Sequence, residues 1–541
     1  MKTTTRSITW NVHVLHPEVS GSCFLLSIIF PNKEKKKIII DCGMFQMYDV
    51  DGYNYSLPFN PQTVDYVFLT HNHTDHCGRL PLLVSKGYSN DIYCTELTKE
   101  MLKISLPDSG RIVSQTSSNL SKRKGRYIPP IYESKDVYNT FGHIKTVKYN
   151  ETKILDDNVS VTFLGNGHLL GAASFLIQLS YPKTKTVNLL FTGDYKEKSD
   201  FQDVPQIPTW VKNLDVIIFQ EATYGDSTTK DIVKKYDEDI ISLIEKNYTV
   251  LQPVIACERT EQILLRLKNL QETGKISTKV PIYLDGPLAI DYLLLYLKHS
   301  IVDFLPKNLH IILSKEKSYD FMRKNKDISF KQDIFVESKI DLSVLLNGRP
   351  KIILSTSGMA DHGNAKSYIS LLADKENTAI YFTCFTPQGT LGYKLKNLKK
   401  GKELHLNVYG EKTSIIFNAT VLETSEFSAH ARGDKLIDYI NSFKTVSGVF
   451  INHGDESVKL KHDENVLINC NVGFAKVLTR EIYYSLSGTE ITKSGNSKFD
   501  STVEVIKKIY SEPSKKKKEK LRRPRPGIKS PQFIPAYYKN V

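Results

Sequence analysis

Between Thr70 and Cys77 the chain reads His71-Asn72-His73-Thr74-Asp75-His76, four metal-ligand residue types within six positions. Imidazole and carboxylate are the ligands a divalent zinc ion favours in near-tetrahedral sets. Alternating ligands on a tight loop aim successive side chains at two ions, with His71 and His73 sharing one and Asp75 and His76 the other. A lone histidine carries no such implication, since most are structural. Four ligand types directly after an apolar run, 64–70, point to a metal centre.

Two ions need more donors than one loop supplies. His168, Asp194 and His453 each stand just past an apolar run, in Gly167-His168, Gly193-Asp194 and Asn452-His453-Gly454. With Asp194 as a bridge, the first ion takes His71, His73 and His168, and the second takes Asp75, His76 and His453. A hydroxide shared by such ions is a nucleophile at neutral pH, so the implied chemistry is hydrolysis. Asp41, also after an apolar run, is placed to orient ligands through hydrogen bonds.

The elements that must present these residues are legible as hydrophobic patterning. Short runs at 23–29, 37–40, 66–69, 159–163, 173–179 and 187–191 read as strands, and the polar residues following them converge on one sheet edge. From about Asp226 the pattern becomes helix-length amphipathic segments (232–245, 260–272, 289–298). These lie between buried strands at 249–256, 280–284, 351–355 and 379–383, an α/β alternation with a largely parallel sheet. After about Lys400 β-type runs return (403–408, 414–417), then a strand at 448–451. One domain is thus inserted into another: 1–225 and 399–480 form the outer domain, 226–398 the insert, and 481–541 a C-terminal extension.

The 541 residues are 40% hydrophobic, enough for more than one core. No segment approaches the roughly 20 apolar residues of a membrane span, and the first residues lack a signal-peptide run, which implies a soluble intracellular protein. Seven scattered cysteines without a Cys-x-x-Cys pair exclude a disulfide framework and a zinc ribbon. The formal charge is +14, and 515–529 holds nine basic residues against one acid, so a basic, disordered tail accounts for more than half of it.

Over residues 8–475 the sequence resembles the metallo-β-lactamase superfamily and, within it, the β-CASP nucleases. The resemblance rests on Glu18-Val19-Ser20-Gly21-Ser22-Cys23, Asp41-Cys42-Gly43-Met44-Phe45-Gln46, the run 70–81, Gly167-His168-Leu169-Leu170-Gly171-Ala172 and Phe191-Thr192-Gly193-Asp194. The family's three further motifs are matched by Glu221, His430 and His453, and the opening motifs are most similar to the bacterial and archaeal branch. The resemblance implies an αββα sandwich with an inserted α/β β-CASP domain and an active site in the cleft between them. It also implies two Zn²⁺ ions, with Mn²⁺ as a substitute, and His430, paired with Glu221, as general acid. Catalysis would rest on Asp75, His430 and Glu221. His453 at the third motif favours RNA over DNA.

Three departures stand out: Arg432 where aspartate is usual, Glu261-Gln262 in reversed order, and His362 where glycine is usual. The implied activity is hydrolysis of single-stranded RNA by a metal-held hydroxide, in an endonucleolytic or 5′-exonucleolytic mode. Arg259, Ser357 and Gly358 are candidates to hold RNA phosphates. The implied partners are single-stranded RNA, a second copy of the chain and subunits of an RNA-processing complex, with no membrane. The implied location is cytoplasmic, or nuclear in a eukaryote. The rival readings are a metal-dependent DNA nuclease and a non-catalytic scaffold paralogue.

Overall fold

In the computed structural model, the described residues are 7–45, 52–314, 317, 334–480, 482–485 and 490–492. The basic tail expected over 515–529 lies outside them. The chain divides into two compact units, one from Met1–Asp231 with the stretch that begins at Ala429, the other spanning Ile232–Ser428.

The first unit is built on two sheets. One orders Glu490–Thr492, Ile482–Ser485, Thr9–Val14, Phe24–Ile29, Lys35–Ile40, Tyr66–Phe68, Ile92–Cys94 and Ile144–Thr146. The other orders Ala475–Val477, Thr445–Asn452, Asp215–Glu221, Val187–Phe191, Ala173–Leu179, Val159–Gly165 and Thr152–Ile154. Their inner faces share one core, in which Trp10, Val12, Phe24 and Leu26 of the first sheet meet Phe163, Phe175, Phe191, Phe219 and Phe450 of the second. Phe191, Phe219 and Phe450 are in register on adjacent parallel strands. Their rings stack at 4.2 and 4.9 Å, each pair adding about 0.5–1.5 kcal/mol beyond burial.

Helices cover both outer faces. Leu102, Leu106, Val113 and Val137 pack on the first sheet, and Leu436, Tyr439, Ile440 and Val466 on the second. Helix, sheet, sheet and helix make the four-layer sandwich that the resemblance implied. The longest helix among the described residues, Glu96–Lys124, is not apparent from patterning. Its sequence is rich in serine and encloses Pro107, so its apolar stripe is thin.

The second unit carries a parallel seven-stranded sheet in the order Ile334–Glu337, Leu309–Ile312, Ile282–Asp285, Lys351–Thr356, Thr249–Val254, Thr378–Phe382, Thr420–Glu423. Its interior strand Thr249–Val254 is buried throughout, as a strand covered on both faces must be. The expected boundary at 398/399 moves to 428/429. Thr420–Glu423 extends this sheet beside Thr378–Phe382. The hairpin Lys402–Val408/Glu411–Phe417 buries Leu404, Leu406 and Phe417 in the same core as Ile380 and Phe382. The supposed C-terminal extension likewise begins inside the first unit, where Ile482–Ser485 pairs with Thr9–Val14.

Candidate metal centre

Most candidate ligands of the first unit sit at or just past the end of a strand. His71 follows Tyr66–Phe68, His168 follows Val159–Gly165, Asp194 follows Val187–Phe191, Glu221 closes Asp215–Glu221, and His453 follows Thr445–Asn452. His73 is the cap of the short helix Thr74–Cys77, which carries Asp75 and His76. The loop is clamped by backbone bonds from Ser22 N to Asp75 O (2.7 Å) and from Cys42 N to His76 O (2.7 Å). At Gly43 a Cβ would lie 1.5 Å from Asp75 O, so only glycine permits the approach.

The ring nitrogens converge closely. His71 Nε2 lies 3.0 Å from His73 Nδ1, and His168 Nε2 lies 3.2 Å from the same atom. Nitrogens bound 2.0–2.1 Å from one tetrahedral ion are about 3.3 Å apart, so the spacing suits a common cation. Asp194 Oδ2 stands 3.8 Å from His71 Nε2, 3.7 Å from His168 Nε2 and 3.3 Å from His76 Nε2, while its Oδ1 is 3.2 Å from His453 Nδ1. Asp75 Oδ2 is 4.0 Å from His76 Nε2 and 3.8 Å from His453 Nε2. Three groups could therefore hold a metal ion: His71, His73, His168 and Asp194; Asp75, His76 and His453; and Asp194, Glu221, His430 and His453.

The second hydrogen bond of each ring fixes its tautomer. Thr70 Oγ1 donates its one proton to Asp41, so it accepts from His71 Nδ1 at 2.9 Å and leaves a lone pair on His71 Nε2. His76 Nδ1 donates to Asp41 Oδ2 at 2.7 Å, and His168 Nδ1 donates to the Ala429 carbonyl at 2.9 Å. Each leaves Nε2 as the free acceptor. His76 Nε2, His453 Nε2 and Asp194 Oδ1 are buried without a hydrogen-bond partner, a costly state for the protein alone and the one expected of metal donors.

Burial, then the neighbouring imidazoles, pushes the His71 and His168 pKa well below the usual histidine value. Burial lowers His73 to about 4. These rings are neutral and able to donate electron pairs. Burial opposes charge on His76 too, but the Asp194 and Asp41 carboxylates outweigh it and hold that pKa well above the usual value. A dication meeting the same carboxylates would replace that proton.

Beside this cluster, His430 Nδ1 lies 3.0 and 3.1 Å from the two oxygens of Glu221, and its Nε2 is 4.0 Å from Asp194 Oδ2. Glu221 is buried and also accepts from Tyr195 N at 2.7 Å and Thr223 N at 3.1 Å. Against burial, the charge of Glu221 raises His430 to about 9. The His430 side chain keeps 18% exposure, so a substrate oxygen can reach it.

Of the RNA-phosphate candidates in the second unit, Arg259 donates to the Thr383 carbonyl and, at 3.4 Å, to Gln262. Ser357 and Gly358 follow the strand Lys351–Thr356. Sequence reasoning passed over Thr70 and Thr223, which orient His71 and His453. Thr70 adjoins the cluster and was within reach of inspection, whereas Thr223 is 230 positions from its partner.

Three family models match in succession: a metallo-beta-lactamase superfamily domain over residues 32–202, a Beta-Casp domain over 260–395, and a Zn-dependent metallo-hydrolase RNA specificity domain over 415–467. The chain is a β-CASP member of the metallo-β-lactamase superfamily. That places it in a family of metal-dependent nuclease hydrolases. It is 28% identical over 452 residues to the transcription termination factor FttA of Methanosarcina mazei, covering 81% of this chain and 66% of that protein. Against the RNase J-like protein of Methanocaldococcus jannaschii, identity is 28%, over 80% of this chain and 90% of the relative. Ribonuclease TTHA0252 of Thermus thermophilus is 27% identical, with 81% and 91% covered. The β-CASP chain thus spans about two thirds of the termination factor and about nine tenths of the other two. No described helix is long and apolar enough to cross a membrane.

Proposed function

We propose that this β-CASP chain is a two-zinc ribonuclease that hydrolyses phosphodiester bonds of single-stranded RNA. The observation that carries the proposal is the juxtaposition of two kinds of site: imidazole nitrogens 3.0–3.2 Å apart beside Asp194, and a His430–Glu221 pair at the edge of the same cluster. His71, His73 and His168 would hold one ion, Asp75, His76 and His453 the other, with Asp194 between them. When bound, divalent ions supply Lewis-acid activation of water and neutralise charge on the non-bridging phosphate oxygens.

The chain's own residues do the rest. Asp41, Thr70 and Ala429 hold the ring tautomers that present lone pairs to the centre. Glu221 fixes His430 through Nδ1 and favours its charged form, so Nε2 carries a proton that can pass to the leaving ribose oxygen. Support for RNA comes from His453 at the third family motif, from the RNA specificity domain match and from the names of two ribonuclease relatives. His71 and His168 are fully buried, so a phosphate must enter a recess, which a single strand can do and a stiff duplex cannot.

The test is metal analysis of the purified protein together with cleavage of labelled single-stranded RNA and DNA by wild type, His430→Ala and Asp75→Ala. Two zinc ions and RNA cleavage lost in both variants are expected. Absence of bound metal, or equal activity in all three proteins, removes the proposal.

A further inference from the structure

Arg432, one of the three departures from the family pattern, is a buried charge of the first unit. It caps the helix Gly433–Asn441 and is 8% exposed. Its guanidinium lies over the Tyr224 ring, 4.1 Å from the centroid, and Nη1 donates to Ser227 Oγ at 3.1 Å. Nε and Nη2 are buried with no partner. The backbones of Tyr224 and Arg432 meet in a parallel bridge, and the Tyr224 ring stands 6.3 Å from that of His430.

No described carboxylate lies within salt-bridge distance of Arg432. Asp231 feels its charge but is turned to Thr228, and Asp434, at the start of the same helix, gives its oxygens to Thr229. Taking an unpaired guanidinium out of water is costly, and one cation–π contact with one hydroxyl bond offsets that cost only in part, which leaves the charge under-compensated. A site that tolerates such a charge next to its proton donor is built to receive an anion there.

We propose that Arg432 is a substrate-affinity residue whose under-compensated charge beneath Tyr224 attracts an RNA phosphate neighbouring the one that is cut. This rests on the ribonuclease reading and extends it to a residue in which the chain differs from its family. With its nitrogens covered, Arg432 acts through its field in a low-dielectric setting rather than by direct contact. It therefore governs binding and the salt dependence of binding, not turnover.

The experiment measures anisotropy of a labelled single-stranded RNA under a metal chelator, so that no cleavage competes, across a salt series with wild type, Arg432→Met, Arg432→Lys and Arg432→Asp. Thermal melting is recorded for each, and steady-state kinetics with metal restored. The Met variant is expected to bind about tenfold more weakly at low salt. Its slope of log affinity against log salt should shrink by about 0.7, with KM raised and kcat unchanged. The Lys variant should recover most of the affinity, and the Asp variant should bind weakest. Wild-type affinity and slope in the Met variant overturn the proposal, as does a loss that follows melting temperature and is not rescued by lysine. If the Asp variant does not fold, the Met and Lys pair decides. Failure of the wild type to cleave RNA with metal restored would instead bring down the ribonuclease reading, and this one with it.

Discussion

The two units bury polar side chains to opposite ends. In the second unit the buried charges Asp285 and Lys351 are paired off: Asp285 accepts from Tyr368 at 2.6 Å and Asn364 at 2.8 Å. Lys351 Nζ donates to Arg349 O, Asn347 Oδ1 and Thr249 Oγ1 at 2.6, 3.1 and 3.3 Å. Glu261, whose oxygens have no partner, is answered by protonation, since burial and then Glu258 push its pKa well above the carboxylate range. In the first unit the buried groups face one another with lone pairs outstanding, and Asp194 remains charged, its pKa held down against burial by His453 and His76. Satisfied polar groups make a framework; converging imidazole nitrogens and carboxylate oxygens make a site that could hold a cation.

Breaking this contrast at its centre has the largest expected effect. Asp194→Ala leaves His71, His76, His168 and His453 without their shared carboxylate. Metal content should fall below two ions per chain, and cleavage by at least about 10⁴-fold, as measured by elemental analysis and single-turnover assays. Retention of both metals would show that Asp194 is a framework residue after all.

Next comes His430→Ala, for which cleavage should drop about 10²- to 10⁴-fold at unchanged metal content. Loss of metal in that variant would move His430 from proton donor to ligand, an assignment its inclusion with Asp194, Glu221 and His453 makes testable. Asp41→Asn acts one bond further out. It should weaken metal affinity about 10- to 100-fold in a competition titration against a chromophoric chelator.

In the second unit Tyr368→Phe should cost about 1–3 kcal/mol of stability by denaturant melting and leave metal content and cleavage per folded molecule as in wild type. The smallest effect is on pH. His430 is raised to about 9, so in metal-free protein its contribution to stability is fully present below the ordinary histidine value near 6.5 and is lost as pH rises through about 9. Melting temperatures of chelated wild type should decline across that window, and those of chelated His430→Ala should decline less.

Much of this was legible in one dimension. The cluster from His71 to His76, and the placement of His168, Asp194 and His453 after apolar runs, needed only residue types and the position of those runs. The helix Glu96–Lys124 was not, because a serine-rich segment with Pro107 lacks a broad apolar stripe. The 399–428 segment was assigned to the outer domain for its β character. Whether Thr420–Glu423 pairs with Thr378–Phe382 or with a strand of the first unit is a matter of parallel partners, which local patterning does not encode. Glu221 and His430 are 209 positions apart, and only their resemblance to family motifs joined them before the fold did.

What the sequence alone determined is therefore the kind of chemistry: imidazoles and carboxylates at strand ends, where backbone pairing stops and side chains are free to turn inward. The fold decided which atoms meet. Parallel pairing of Val187–Phe191, Asp215–Glu221 and Thr445–Asn452 brings Asp194, Glu221 and His453 to one end of a single sheet. Thr70, Thr223 and the Ala429 carbonyl then set which nitrogen of each ring keeps its lone pair. The charge of Arg432 is plain in one dimension, but that it is buried, stacked on Tyr224 and left without a carboxylate follows only from long-range packing, because burial and pairing are properties of neighbours in space.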